Sequence, residues 1–173
     1  KFMAMMPVID ETSRVQLRTL VLIRWVAIVG QMATLIVVHY GLGFSLPLIA
    51  AITTVLGSVV INLAAQFGGR ARRISEKGAA GYLAFDILQL AVLLYLTGGL
   101  GNPFAFLLLA PVAISATVLS LRSTIILSAL ALIAITFLSI FHLPLPGSGV
   151  LPELPTIYVL GVWTALAIGI LFF

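Results

Sequence analysis

The sequence predicts an all-α, polytopic membrane protein, a bundle of six transmembrane helices with both termini in the cytoplasm. The first observation is composition: 62% of the 173 residues are hydrophobic, 8% are charged, and the mean hydropathy is +1.26. A water-soluble domain of this size could not bury so large an apolar fraction. The second is a series of six apolar runs, because roughly 20 apolar residues at 1.5 Å each cross about 30 Å of hydrocarbon.

The six predicted spans form one domain that covers residues 1–173. The fourth and sixth runs are short, and the sixth continues to the last residue, Phe173. That apolar ending predicts that a longer protein continues beyond this chain. The spans are expected near residues 17–39, 44–66, 78–97, 103–120, 123–142 and 156–173.

Basic residues mark alternate connections between the spans and so predict the orientation of the bundle. The connections on the opposite side carry Glu153 and contain no Lys or Arg. Because positively charged connections stay in the cytoplasm, both termini are predicted to be cytoplasmic, and the connection between the third and fourth spans is predicted to face outward. These basic residues are Arg14 and Arg18 in the N-terminal flank of the first span, Arg70, Arg72, Arg73 and Lys77 before the third span, and Arg122 before the fifth.

Composition and motifs also exclude several classes of function. The net charge is +4, but the basic residues lie at span ends rather than in a stripe, so no nucleic-acid partner is expected. The absence of Cys excludes disulfides and thiolate sites. His39 and His142 have no carboxylate or Cys company, so no metal site is expected and both are interpreted as interface residues. No catalytic triad or phosphate-binding loop is present, so no catalytic residue is expected in this chain.

The most informative segment is the break from Gly98 to Phe104, which separates two apolar runs. One interpretation is a plain turn, in which glycine ends one helix and Asn102-Pro103 begins the next. The other is a ligand site, in which the Asn102 amide and the first helical N–H groups donate to an acceptor and Phe104 offers a ring face. A quinone head group, flat and with two carbonyl acceptors, fits such a site. Tyr95 is the aromatic residue nearest the break and is expected to line it.

The residues of this break resemble a known family signature. The heptapeptide Gly98-Gly99-Leu100-Gly101-Asn102-Pro103-Phe104 is similar to the GGxxNPF motif of the RegB/PrrB/ActS family of redox-responsive sensor histidine kinases. It also lies where that family has it, between the third and fourth of six spans. The resemblance covers essentially the whole chain in span number, orientation and motif position. It implies that the residues that bind ubiquinone and respond to its redox state are Gly98, Gly99, Asn102, Pro103 and Phe104.

The resemblance further implies a larger signalling protein in the bacterial inner membrane. This chain would be the multi-pass sensor domain of a two-component system, surrounded by membrane lipid and present as a homodimer. It would pass the redox state of the quinone pool to a cytoplasmic kinase core that is absent from this chain. ATP, Mg²⁺, autophosphorylation and the cognate response regulator all belong to that core, so this chain by itself is not expected to be an enzyme.

Two charged residues inside the spans are predicted to pair. Arg24 and Asp86 each lie roughly 10–12 Å from the inner end of an outward-running span. A charge at that depth is costly alone, so we expect the two to pair, directly or through Asn62. The pair would either hold the helices together or carry the quinone signal toward the cytoplasm. Gln31 and Gln89 are expected to form interhelical hydrogen bonds.

Two rival functions remain open at this point. A small six-helix transporter or channel would use Arg24, Asp86, Gln31 and Gln89 as a polar path, although these residues cluster toward the inner side. A membrane enzyme acting on a lipid or a quinone would need a set of catalytic groups that the sequence lacks.

Overall fold

Six α-helices carry the fold, and each occupies one of the predicted spans, which confirms the six-helix membrane bundle. The computed structural model describes residues 14–41, 43–68, 73–144 and 155–173. Among these residues, four helices are long and apolar enough to cross a membrane by themselves, and the two shorter ones belong to the fourth and sixth spans. The helices are α1 (Leu17–Ile36), α2 (Leu48–Gly68), α3 (Glu76–Leu96), α4 (Leu109–Val118), α5 (Leu121–Ile140) and α6 (Thr156–Phe172).

The fourth span begins as a 3-10 helix. Residues Pro103–Leu108 adopt this tighter form, and α4 starts only at Leu109. A 3-10 helix rises about 2.0 Å per residue, against 1.5 Å for an α-helix. The short fourth span therefore reaches further through the bilayer than the same residues would as an α-helix.

Two further local elements were not predicted from the sequence. The outer end of α1 continues as a π-helical turn, Val37–Gly41. At the cytoplasmic end, β1 (Arg14–Gln16) pairs in antiparallel fashion with β2 (Arg73–Ser75), with Val15 opposite Ile74. These strands tie the N-terminal flank to the residues that precede α3.

The helices pack around two apolar clusters. The smaller cluster lies between α1 and α2 and centres on Ile28, Leu35 and Val55. The larger joins α3, α4, α5 and α6, with Ile87, Ile135 and similar side chains at its centre. Large apolar side chains also cover the outside of the bundle, as expected where lipid tails replace water.

A carboxylate joins α3 to the turn between α4 and α5 at the cytoplasmic end. Glu76, the first residue of α3, accepts hydrogen bonds from the backbone N–H of Ser120 at 3.2 Å and from the hydroxyl groups of Ser120 and Ser123. Arg18, Lys77 and Arg122 lie at the cytoplasmic starts of α1, α3 and α5, as the positive-inside rule requires. The connections that contain Arg70, Arg72 and Glu153 lie outside the described residues.

Candidate functional site

The break after α3 is a tight turn that requires glycine. Gly98 and Gly99 have φ values of 102° and 59°, in the left-handed region that side chains disfavour. A Cβ atom on Gly99 would also lie 2.6 Å from the ring of His142, which follows α5. Gly99 is therefore needed both for its backbone conformation and for the close approach of His142.

Asn102 caps the helix that follows the turn. Its Oδ1 accepts a hydrogen bond from the backbone N–H of Phe104 at 2.9 Å, and Pro103 occupies the first helical position. Its Nδ2 donates to the hydroxyl group of Thr97 at 2.9 Å and to the carbonyl of Thr97 at 3.1 Å. The turn and the helix start predicted at Asn102-Pro103 are thus confirmed. Because the amide group is already bonded, the expectation that Asn102 offers free donors to a ligand is not met in this conformation.

An apolar cavity of about 300 Å³ lies beside the break, between α1, the connection from α1 to α2, α3 and the 3-10 segment. We call it the outer cavity. Asn102, Pro103 and Phe104 form one wall, and Leu90, Leu93 and Leu94 of α3 form another. The polar side chains that reach it, besides Asn102, are Gln31, Thr34 and Thr97.

Tyr95 does not take its predicted place in this wall. Its ring instead stacks on Phe137 of α5, with ring centroids 6.3 Å apart. The reason is helical phase: the cavity-lining residues of α3 follow a 3.6-residue period through Leu90, Leu94 and Thr97, and Tyr95 is rotated by about 100° from Leu94. The prediction for Tyr95 relied on its proximity to the break along the sequence, which does not determine the face of α3 on which the side chain lies.

A second cavity of about 370 Å³ adjoins the first and extends toward the cytoplasmic half of the bundle. We call it the inner cavity. Its polar lining includes Arg24, Ser58, Asp86 and Gln89. The two cavities share part of their lining and lie next to each other along α1, α3 and the fourth span, and we name them together the α1–α3 groove. The residues that line both cavities are Gln31, Thr34, Leu90, Phe104 and Leu107.

Arg24 and Asp86 form a direct ion pair across this groove. The Nη2 atom of Arg24 lies 3.1 Å from Oδ1 of Asp86, and the arginine side chain is 6% exposed. The guanidinium carbon also lies 5.1 Å from the ring centroid of Tyr82 and 5.6 Å from that of Phe85. These ring faces add cation–π attraction to the ion pair.

Asn62 does not bridge this pair, because its Nδ2 donates to the carbonyl of Val21 at 3.1 Å. It joins α2 to α1 instead.

Gln31 and Gln89 form a reciprocal amide pair between α1 and α3, which confirms the expected interhelical hydrogen bonds. Nε2 of Gln89 donates to Oε1 of Gln31 at 2.9 Å, and Nε2 of Gln31 donates to Oε1 of Gln89 at 3.3 Å. An amide has two N–H donors and two acceptor lone pairs, so each side chain keeps one of each for another partner. Gln31 lines both cavities and can offer its remaining donor to a ligand in either.

Several lining residues had no signal in the sequence. Thr34 of α1 and Thr97, which follows α3 as its C-cap, reach the outer cavity because α1 and α3 face each other across it. Phe44 reaches the outer cavity from the connection between α1 and α2, a position that periodicity does not predict. Gln31 did carry a signal, since a polar residue in an apolar span marks an interior contact.

We expect Gly99→Ala to lower the free energy of unfolding by about 2 kcal/mol or more, because the substitution adds left-handed backbone strain and a clash with His142. Thermal unfolding of the purified protein in detergent, followed by circular dichroism, measures the effect. Gly81→Ala is the matched control, since a Cβ there meets nothing within 4 Å. A Gly99→Ala protein as stable as the wild type would contradict this account of the turn.

We expect Gln89→Leu to destabilise the bundle by about 1 kcal/mol, because Gln31 would lose its buried partner. The double variant Gln31→Leu/Gln89→Leu should recover part of that loss, since it leaves no unpaired amide. Unfolding of the two single variants and the double variant in the same detergent gives the coupling between the two side chains. Strictly additive effects would show that the amide pair contributes nothing.

Comparison with known proteins agrees with the resemblance seen in the motif. The chain is 46% identical over 161 residues to a protein named Sensor histidine kinase RegB from Cereibacter sphaeroides, covering 91% of this chain and 34% of that protein. It is 48% identical over 162 residues to a second Cereibacter sphaeroides protein of the same name, covering 91% and 35%. The chain thus spans about a third of the length of these relatives. No solved structure matches it.

The family model described as the PilS-like transmembrane domain matches residues 9–172. With this match and the helices described above, the prediction of a multi-pass protein of the bacterial inner membrane is confirmed. The chain belongs to the family of PilS-like transmembrane domains.

Proposed function

We propose that this chain is the quinone-responsive membrane domain of a redox-sensing histidine kinase. The name of these relatives, Sensor histidine kinase RegB, supports a kinase, and the chain corresponds to about a third of their length. In this proposal the remainder supplies a cytoplasmic core that uses ATP and Mg²⁺ for autophosphorylation and transfers the phosphoryl group to a response regulator. In this proposal the working unit is a homodimer.

The ligand in this proposal is ubiquinone, and the outer cavity holds its head group. A volume of about 300 Å³ lies at the lower end of the range for small-molecule pockets. The walls are mainly apolar, and the remaining N–H of Gln31 and the hydroxyl group of Thr34 can donate to quinone carbonyls. Phe104 and Leu107 are partly exposed at the edge of the cavity, so a lipid tail can leave toward the bilayer.

One observation carries the proposal. Three residues of the GGxxNPF motif, Asn102, Pro103 and Phe104, stand on the wall of an apolar cavity whose opposite side presents a buried amide, Gln31. Asn102 acts in this proposal by fixing the wall, because its own donors hold Thr97. Gly98 and Gly99 act by shaping the turn behind that wall.

The same turn offers a route to the cytoplasm. The residues Gly99–Gly101 pack against both α5 and α6, and α6 ends at the cytoplasmic side. A head group that displaces Pro103 or Phe104 would move this turn and, through it, α6. Such a signal requires the oxidised and reduced ligands to favour different packings of the helices, because a ligand with equal affinity for both packings shifts nothing.

The transporter or channel interpretation loses its main support. It needed Arg24, Asp86, Gln31 and Gln89 as a polar path, but these side chains pair with one another between α1 and α3. Paired in this way, they serve as interhelical contacts rather than as a lane for a solute.

We expect Phe104→Ala to weaken binding of decyl-ubiquinone about five- to tenfold, because the ring supplies stacking and apolar contact to the head group. Equilibrium binding to the full-length protein in lipid nanodiscs measures this, with empty nanodiscs to correct for partitioning. The matched control is Phe106→Ala, since Phe106 belongs to the same 3-10 segment and is also exposed but does not line the outer cavity. Absence of saturable binding, or equal losses in both variants, would refute the proposed site.

A further inference from the structure

The inner cavity contains polar atoms that the proposed quinone site does not use. Within the described ranges, Nε and Nη1 of Arg24 and Oγ of Ser58 are buried and have no hydrogen-bond partner. Both residues line the inner cavity and are more than nine-tenths buried. A buried donor without a hydrogen-bond partner in an apolar surrounding raises the free energy of the folded protein. A ligand or a bound water that accepts from the donor removes this cost.

Asp86 adds an acceptor to these donors. Its ion pair with Arg24 engages Oδ1, which leaves the second carboxylate oxygen as an acceptor. The carboxylate lines the inner cavity and its side chain remains 20% exposed. The inner cavity therefore presents both a charged acceptor and several donors.

The two cavities thus differ in the chemistry they offer. A quinone carbonyl only accepts hydrogen bonds, whereas a hydroquinone hydroxyl both donates and accepts. Beside Asp86, a hydroxyl group can donate to the carboxylate and accept from Arg24 or Ser58. A carbonyl at the same place would face the carboxylate without a hydrogen to share. Either group can accept a hydrogen bond from Arg24, but only the hydroxyl can also donate to Asp86. Because a hydrogen bond to an ionised carboxylate is roughly twice as strong as a neutral one, the Asp86 contact favours the reduced ligand.

We propose that the inner cavity is a second position of the α1–α3 groove that receives the hydroquinone head group, whereas the outer cavity receives the quinone head group. This inference rests on the proposed function. Gln31, Thr34 and Phe104 line both cavities, so the two positions are neighbours. In this proposal a head group moves from one position to the other within the groove. In this proposal the redox state of the ligand determines how deep its head group lies in the bundle. The quinone head group contacts the cavity wall at Pro103, and the hydroquinone head group contacts the Arg24–Asp86 ion pair.

The test uses bulky substitutions that fill one cavity at a time. Val38 lines the outer cavity alone, and Ala110 lines the inner cavity alone. Binding of decyl-ubiquinone and of its chemically reduced hydroquinone is measured, the latter without oxygen, on the full-length protein in nanodiscs. We expect Val38→Phe to weaken quinone binding about tenfold and hydroquinone binding less than about twofold, and Ala110→Phe to do the reverse.

A second variant tests the polar groups directly. Arg24→Gln/Asp86→Asn replaces the ion pair by two neutral amides of similar size, so no unpaired charge is left in the membrane. We expect hydroquinone binding to fall about tenfold and quinone binding to change less than about twofold. If this variant does not fold, the comparison of Val38→Phe with Ala110→Phe still decides the question.

The outcomes separate the two proposals. If neither ligand form binds saturably to the wild type, the proposed function fails. If both forms bind but respond in parallel to Val38→Phe and Ala110→Phe, the quinone site stands and the second position is refuted. That result would assign the inner cavity to bound water alone.

Discussion

The bundle depends on polar contacts that join α1 to α3 inside a membrane. In hydrocarbon no water can satisfy an unpaired amide or charge, so such groups must find partners within the protein. The pairs Arg24–Asp86 and Gln31–Gln89 provide such partners at two depths between α1 and α3, although Nε and Nη1 of Arg24 remain without one among the described residues. They hold the α1–α2 cluster against the larger cluster of the remaining helices, while the space between the clusters remains open as the α1–α3 groove. The need to pair polar groups inside the membrane thus joins α1 to α3 and also leaves polar side chains on the surface of a cavity.

The GGxxNPF segment combines structural and recognition roles that fall on different residues. Gly98 and Gly99 allow the chain to turn beneath His142, and Asn102 starts the next helix by capping it. Only Pro103 and Phe104 are left to meet a ligand with their side chains. Because the turn also touches α6, a change at the cavity wall has a short mechanical route to the cytoplasmic end. In the proposed function, the motif therefore couples the ligand to the output helix.

Much of this arrangement follows from sequence, and the remainder depends on packing. Hydropathy predicted the positions of all six helices. The equal depth of Arg24 and Asp86 in the membrane predicted that the two side chains form a pair. The Asn-Pro pair predicted the helix start through its capping chemistry. Tyr95 was misplaced because its face of α3 depends on helical phase relative to neighbours whose positions the sequence does not give. The 3-10 start of the fourth span, the π-helical turn and the three-residue strands are too short for periodicity to detect. The cavities themselves arise between helices, so they depend on distances that no single segment encodes.

The most direct measurement is to map where a photoreactive quinone attaches to the protein. An azido-ubiquinone analogue would be illuminated in nanodiscs containing the full-length protein, and the labelled residues would be identified by peptide mass spectrometry. Label on α1 and on the 3-10 segment Pro103–Leu108, suppressed by excess unlabelled quinone, is the predicted result. Label confined to α5 and α6, or label that unlabelled quinone does not suppress, would contradict a quinone site in the α1–α3 groove.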